Sequence, residues 1–161
     1  VLVLGGVRAG KSRHAEALVT AQPAPWRYIA TGRAWDDEMR ARIADHRAHR
    51  APDWETVEEP LDLSRAMETD RPVLVDCLTL WLTNLLLEEH DVVSAREALC
   101  ATLSRRSALT VLVGNEVGLG IVPENALARR FRDEAGLLHQ ALATQARRVL
   151  FVVAGYAMEV K

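Results

Sequence analysis

One stretch of the sequence matches the pattern G-x-x-x-x-G-K-[ST]. It lies between an apolar run at residues 1–4 and a segment of helical composition at residues 12–20, and it consists of Gly5, Gly6, Val7, Arg8, Ala9, Gly10, Lys11 and Ser12. In such a loop the glycines let backbone N–H groups turn toward phosphate oxygens, and the following helix adds the positive end of its dipole. We call residues 5–12 the glycine loop and expect it to bind the phosphates of a nucleotide. The alternative is a glycine-rich turn that matches by accident.

Lys11 and Ser12 are the two side chains of the glycine loop with a predicted chemical role. The 20 basic residues include only two lysines, Lys11 and Lys161, so the one interior ammonium falls where the pattern requires it. We expect Lys11 to contact the terminal phosphates and take part in catalysis, and the Ser12 hydroxyl to bind Mg²⁺. Asp76 closes the apolar run 73–75 and is the expected second Mg²⁺ contact; the alternative is a cap on the next helix.

Composition limits the classes of protein that the chain can belong to. With 161 residues, of which 49% are hydrophobic and 26% charged, it is typical of one globular domain spanning residues 1–161. The net charge of −2 gives no reason to expect a nucleic-acid partner. Its apolar runs are shorter than the roughly 20 residues of a membrane span.

The cysteines and the first residues bear on the compartment. Cys77 and Cys100 form no C-x-x-C pair, so we interpret them as buried thiols, although a disulfide between them is open. No basic segment followed by an apolar leader is visible, which favours a cytoplasmic protein. Because the chain begins at Val1, we expect further residues before it.

Apolar runs alternate with helical patterns along the chain. We predict strands at residues 1–4, 27–31, 54–58, 73–77, 109–114 and 149–153, the last closing the sheet. Helices are predicted at residues 12–20, 36–50, 61–68, 78–89, 94–106 and 124–147, the last with a disturbance at Gly136. This alternation predicts an α/β fold with a mainly parallel sheet. The glycine loop between the first strand and the first helix adds the expectation of a three-layer fold of the P-loop NTPase type.

The motifs taken together resemble a known enzyme family. The glycine loop is followed, in order, by residues 13–16, 28–31, 36–39, Arg42 and Ile43 with His46, 115–118, 122–125, Arg129, 131–133 and Gly136. In this order they are similar to the bifunctional adenosylcobinamide kinase / adenosylcobinamide-phosphate guanylyltransferase family of cobalamin biosynthesis, over essentially the whole chain. The resemblance implies that ATP or GTP phosphorylates adenosylcobinamide and that GMP is then transferred from GTP onto the new phosphate.

The resemblance also implies that His46 becomes guanylylated. A neutral imidazole can attack the α-phosphorus, and on a helix Arg42, His49 and Arg50 would lie beside it and disfavour its protonation. Without the resemblance, a solvated Arg- and His-rich helix is the simpler interpretation, and His49 is an alternative nucleophile.

Further GTP contacts implied by the resemblance are Ala30, Thr31, Gly32, Arg47, Ala48, His49, Arg50 and Glu58, with Asp76 at the metal. Glu58 is equally compatible with a rim carboxylate. A homo-oligomer, specifically a trimer, is also implied. The alternatives are a P-loop kinase without nucleotidyl transfer and a nucleotide-binding regulatory module. Three residues differ from the family pattern, Ala9, Gly114 and His139, and we interpret them as drift.

Overall fold

The computed structural model describes residues 1–33 and 52–161, and its strands form one sheet. The strands are β1 (Leu2–Gly5), β2 (Trp26–Ala30), β3 (Trp54–Glu58), β4 (Val73–Asp76), β5 (Thr110–Asn115), β6 (Val149–Val153) and β7 (Tyr156–Glu159). Within the described part of the chain they are ordered β3-β2-β4-β5-β1-β6-β7. All neighbouring pairs are parallel except β6 and β7, which are antiparallel.

Within residues 1–33 and 52–161, five helices connect these strands. They are α1 (Lys11–Thr20), α2 (Leu63–Ala66), α3 (Leu78–Leu87), α4 (Val92–Arg105) and α5 (Ala126–Gln145). Side-chain caps start three of them: the carboxylates of Asp62 and Asp91 and the amide of Asn125 each accept a backbone N–H of the first turn. α5 continues through Gly136 without the predicted disturbance. The predicted helix at 36–50 lies outside the described residues.

The helices cover both faces of the sheet and create two apolar layers. On one face α1 packs on β1, β4 and β5, with Ala15 and Val19 buried against Val3 and Leu74. On the other face α2 to α5 enclose a larger core that includes Trp81. Because the central strands are covered on both sides, their residues are almost all apolar, as in other buried parallel sheets. The prediction of a three-layer, mainly parallel α/β fold is confirmed.

The sequence-based boundaries need correction at the C-terminal end and near residue 65. The strand at 149–153 does not close the sheet, because the turn Ala154–Gly155 leads into the antiparallel edge strand β7. The helix predicted at 61–68 is one turn, Leu63–Ala66.

Cys77 and Cys100 are free and half-buried, so they do not form the disulfide that the sequence left possible. Of the four tryptophans, Trp81 is buried in the core, whereas Trp26 and Trp54 are half-buried and pack on each other at 5.4 Å between ring centres. Trp35 lies outside the described residues.

Candidate nucleotide site

The glycine loop leaves the carboxyl end of β1 and turns directly into α1. Gly5 has φ +150°, and a Cβ placed on it would lie 2.3 Å from the carbonyl oxygen of Val152 in β6, so a side chain does not fit. Gly10 is the N-cap of α1 with φ +101°, again a conformation that favours glycine. The structure thus gives a steric reason for glycine at both positions, and their contact with a nucleotide stays a prediction.

Lys11 is held at the start of α1 with little contact to solvent. Its side chain is 7% exposed, and Nζ donates to the Gly6 carbonyl at 2.5 Å. Burial lowers the pKa of this ammonium, while Cys77 and Asp76 act in the opposite direction. The hydrogen bond to Gly6 uses one of the three ammonium protons, so the charge is held at the loop with capacity for anionic oxygens.

Ser12, Asp76 and Tyr28 meet at the carboxyl edge of the sheet. The Oδ2 atom of Asp76 accepts a hydrogen bond from Ser12 Oγ at 3.0 Å and another from the Tyr28 hydroxyl at 3.0 Å. The alternative of a helix cap is wrong, because α3 begins at an N-cap Cys77 and has no side-chain cap. Sequence reasoning missed Tyr28. Tyr28 lies two residues before Ala30 in β2, so the two residues share a face of the sheet, and Ala30 is the register partner of Asp76. This position in the strand is the sequence signal that could have indicated Tyr28.

Thr31 lies beside this cluster but is fully buried. Its hydroxyl donates to the Cys77 carbonyl at 2.7 Å and accepts the Cys77 N–H at 2.8 Å, and Asn84 donates from its side chain to the Thr31 carbonyl at 2.8 Å. Thr31 therefore fixes the ends of β2 and β4 against each other. A nucleotide contact in this stretch stays a prediction, with Ala30 and Gly32 as its more exposed members.

The remaining predicted residues fall into two groups. Glu58 is the last residue of β3, pairs in register with Ala30 and is exposed at the same carboxyl edge of the sheet. Its role as a GTP contact stays a prediction. His46, Arg47, Ala48, His49 and Arg50 lie outside the described residues.

A second contact to the glycine loop comes from the turn between β6 and β7. The N–H of Gly155 donates to the Ala9 carbonyl at 2.9 Å. The Gly155 carbonyl is hydrogen-bonded to the guanidinium of Arg13 at 3.1 Å and to Nε2 of His14 at 2.8 Å. His14, for which the sequence indicates no role, therefore joins α1 to this turn.

The loop that follows β5 begins beside the glycine loop. The N–H of Glu116 donates to the Gly5 carbonyl at 3.0 Å, and the Glu116 carboxylate accepts the N–H of Gly118. From α5, Arg132 donates to the Gly118 carbonyl at 3.0 Å and Arg129 to the Pro123 carbonyl at 3.0 Å. The two arginines therefore hold both ends of residues 118–123, which the sequence had indicated only as a glycine-rich loop.

Two of the three departures from the family pattern are in contact. A Cβ on Gly114 would lie 2.9 Å from Nε2 of His139, whose side chain is buried on α5. A larger residue at position 114 and this histidine compete for one space. Gly114 and His139 are therefore linked in the structure. Burial lowers the pKa of His139, partly opposed by Glu116.

These features together define a class of protein. A glycine loop follows a parallel strand, a buried lysine stands at the start of the next helix, and the serine after that lysine is bonded to an aspartate at the end of another strand. Proteins of this class are α/β proteins that bind phosphate groups at the carboxyl edge of a parallel sheet. Residues 1–160 match the family described as cobinamide kinase / cobinamide phosphate guanyltransferase. The chain belongs to this family, as a bifunctional enzyme of adenosylcobalamin biosynthesis.

Individual relatives agree with the family match. The chain is 51% identical to the bifunctional adenosylcobalamin biosynthesis protein CobP of Pseudomonas aeruginosa, over 99% of this chain and 96% of that protein. It is 42% identical to CobU of Escherichia coli K12 and 43% identical to CobU of Salmonella typhimurium, each over 100% of this chain and 99% of the relative. A solved structure from Pyrococcus horikoshii, with TM-score 0.54 and 11% identity over 99% of this chain and 84% of that chain, shares the fold alone.

No helix in the described ranges, 1–33 and 52–161, is long and apolar enough to cross a membrane.

Proposed function

We propose that this enzyme carries out its two reactions with distinct groups. The glycine loop holds the nucleotide that phosphorylates adenosylcobinamide, with ATP or GTP as donor, and His46 carries GMP during the second reaction. The observation that carries the kinase half is the convergence of Lys11, Ser12 and Asp76 at one edge of the sheet.

In the kinase step, the hydroxyl of the aminopropanol arm attacks the terminal phosphorus and the nucleoside diphosphate leaves. The negative charge that builds up on the phosphoryl oxygens is met by the Lys11 ammonium, the loop N–H groups and the start of α1. Lys11 is nearly buried, so its charge is less screened than that of a surface lysine.

The residues at the end of β4 fit a Mg²⁺ ion. Ser12 Oγ and Oδ2 of Asp76 lie 3.0 Å apart, and both are oxygen atoms that can act as ligands of the ion. Mg²⁺ usually keeps several waters and is held by one or two carboxylates together with substrate phosphates. When bound, Mg²⁺ would neutralise phosphate charge and orient the leaving group.

In the second step, a neutral imidazole nitrogen of His46 attacks the α-phosphorus of GTP, and pyrophosphate leaves. An oxygen of the corrinoid phosphate then attacks the same phosphorus, the phosphorus–nitrogen bond breaks, and adenosylcobinamide-GDP forms. Ala30, Gly32, Glu58 and residues 47–50 are the proposed GTP contacts. This half rests on the family match, whose description includes the guanyltransferase.

The experiment is to incubate the enzyme with GTP labelled at the α-phosphate and to test for covalent label that acid removes and alkali does not. We expect label on the wild type, weaker but present label on His49→Ala, which removes only a proposed GTP contact, and none on His46→Ala. Label that survives His46→Ala and is lost in His49→Ala would reassign the nucleophile. No label on active wild-type kinase would instead favour a P-loop kinase without a guanylyl intermediate.

We also propose that the enzyme is a homo-oligomer, specifically a trimer, as the family resemblance implies. We propose the cytoplasm as its location. Light scattering during gel filtration tests the first, with three times the chain mass expected. A monomer that is fully active would contradict it.

A further inference from the structure

The loop between β5 and α5 begins at a hydrogen bond to the glycine loop, from Glu116 to Gly5, and presents apolar side chains to solvent. Leu119 is 82% exposed, Ile121 97%, and Val122 is exposed as well. We call these three residues the apolar tip. Val7, at the bend of the glycine loop, is 79% exposed. Large apolar side chains in such a position are unfavourable in water, so a group of them beside a reaction site requires an explanation.

The apolar tip is held by hydrogen bonds to α5 and to the glycine loop. Arg132 binds the carbonyl of Gly118 just before the tip, and Arg129 binds the carbonyl of Pro123 just after it. The loop starts at Glu116, whose N–H is bonded to Gly5. The tip is thus fixed relative to the phosphate site, as a binding surface for a substrate must be.

The reaction places the bulky part of the acceptor substrate close to this surface. The hydroxyl that attacks the terminal phosphate is joined by a short arm to the corrin macrocycle, whose rim carries methyl groups and amide side chains. When the hydroxyl is at the glycine loop, the macrocycle lies within the length of that arm. The macrocycle therefore needs an apolar surface close to the glycine loop but outside the phosphate site itself.

We infer that the apolar tip, together with Val7, binds the corrin ring of the cobinamide substrate during phosphoryl transfer. This inference rests on the proposed function of the glycine loop as the kinase site. It assigns corrinoid affinity to Leu119 and Ile121, and it assigns Arg129 and Arg132 the role of holding these side chains in position.

Two other exposed apolar side chains provide comparisons. Leu87 is 54% exposed at the C-terminal end of α3, where the adjacent Glu88 is paired with Arg33 after β2, a strand that β4 and β5 separate from β1. Tyr156 is exposed after the β6–β7 turn, on the other side of the glycine loop. Leu87→Ser is the matched control for a loss of surface apolar area, and Tyr156→Ser tests the opposite flank.

The experiment compares wild type, the double variant Leu119→Ser/Ile121→Ser, and the two single variants. Phosphorylation is measured against cobinamide concentration at saturating nucleotide, and cobinamide binding without nucleotide is measured by equilibrium dialysis. We expect the double variant to raise the KM and Kd for cobinamide at least tenfold with kcat within twofold of wild type. Leu87→Ser and Tyr156→Ser should leave both constants within twofold. The control readout is labelling by α-labelled GTP, which needs no corrinoid and should be unchanged.

Three results would overturn the inference. Cobinamide constants that stay within twofold in the double variant would exclude the apolar tip from binding, while wild-type activity upheld the proposed function. A change in oligomeric mass together with loss of GTP labelling would assign the tip to contacts between copies of the chain. A wild type that binds cobinamide but transfers no phosphate to it would refute the proposed kinase site and the argument that places the corrin ring here.

Discussion

Replacing Gly5 by alanine tests whether the glycine loop depends on the close approach of β1 and β6. The added Cβ would lie 2.3 Å from the Val152 carbonyl oxygen, which is backbone of the neighbouring strand and cannot rotate away. The φ of +150° adds a conformation that alanine adopts at a cost of about 1–3 kcal/mol. Forcing the strands apart costs about 1–3 kcal/mol more. We therefore expect Gly5→Ala to lower the free energy of unfolding by about 2–6 kcal/mol.

Gly6→Ala is the control within the same loop. A Cβ at Gly6 meets nothing within 4 Å, and the residue is exposed, so the expected change in stability is within about 0.5 kcal/mol. The assay is urea unfolding of both variants without nucleotide, followed by circular dichroism and analysed at a common slope. Equal stabilities for the two variants would refute the argument that the Val152 carbonyl excludes a side chain at position 5.

Three further predictions concern buried groups near the site. Lys11→Met should leave the nucleotide-free protein at least as stable as wild type in thermal unfolding, because it removes a partly desolvated charge. Phosphoryl transfer by this variant should fall at least 100-fold, and unchanged activity would contradict the role of Lys11. Gly114→Ala should destabilise the wild type by about 1–2 kcal/mol and a His139→Ala background by less, because only the 3.1 Å approach to Cδ2 of Leu4 then remains. Additive effects in this double-mutant cycle would disprove the contact between Gly114 and His139. Burial makes folded His139 bind its proton less tightly than the unfolded chain does, so stability should fall as the pH drops below about 6.5, by at most about 1.4 kcal/mol per pH unit. Urea unfolding at pH 7 and pH 5.5 should show a smaller loss for His139→Gln than for wild type, and an equal loss would contradict this prediction.

The predictable part of the fold is the part with a strong local pattern. The central strands β1, β4 and β5 are short runs of apolar residues because both of their faces are buried, and periodicity alone locates such runs. The edge strand β7 lacks that signal, since all four of its residues are exposed. Its existence depends on the turn at Ala154 and Gly155, where both residues have positive φ, and Ala-Gly is not one of the usual turn pairs.

The candidate site divides in the same way. Lys11 and Ser12 follow from a contiguous motif, and Asp76 follows from its place at a strand end. Tyr28 and Asn84 could not be predicted, because each reaches the site across 48 or more residues and only the strand register shows which side chains meet. The same holds for the linked departures at Gly114 and His139, which meet only once α5 has packed on the sheet.

The contact between Gly155 and Ala9 also constrains the order in which the protein can be completed during synthesis. The glycine loop is synthesised before either strand that flanks β1, since both of these strands and the turn that binds Ala9 follow residue 109. At about 5–20 residues per second, roughly 8–30 s pass between translation of position 5 and of position 155. β1 is therefore an apolar segment without either neighbour until β5 has been made, and without β6 until almost the end of that interval. A nucleotide cannot assist its folding until then, because the turn that binds Ala9 has not yet fixed the glycine loop in place.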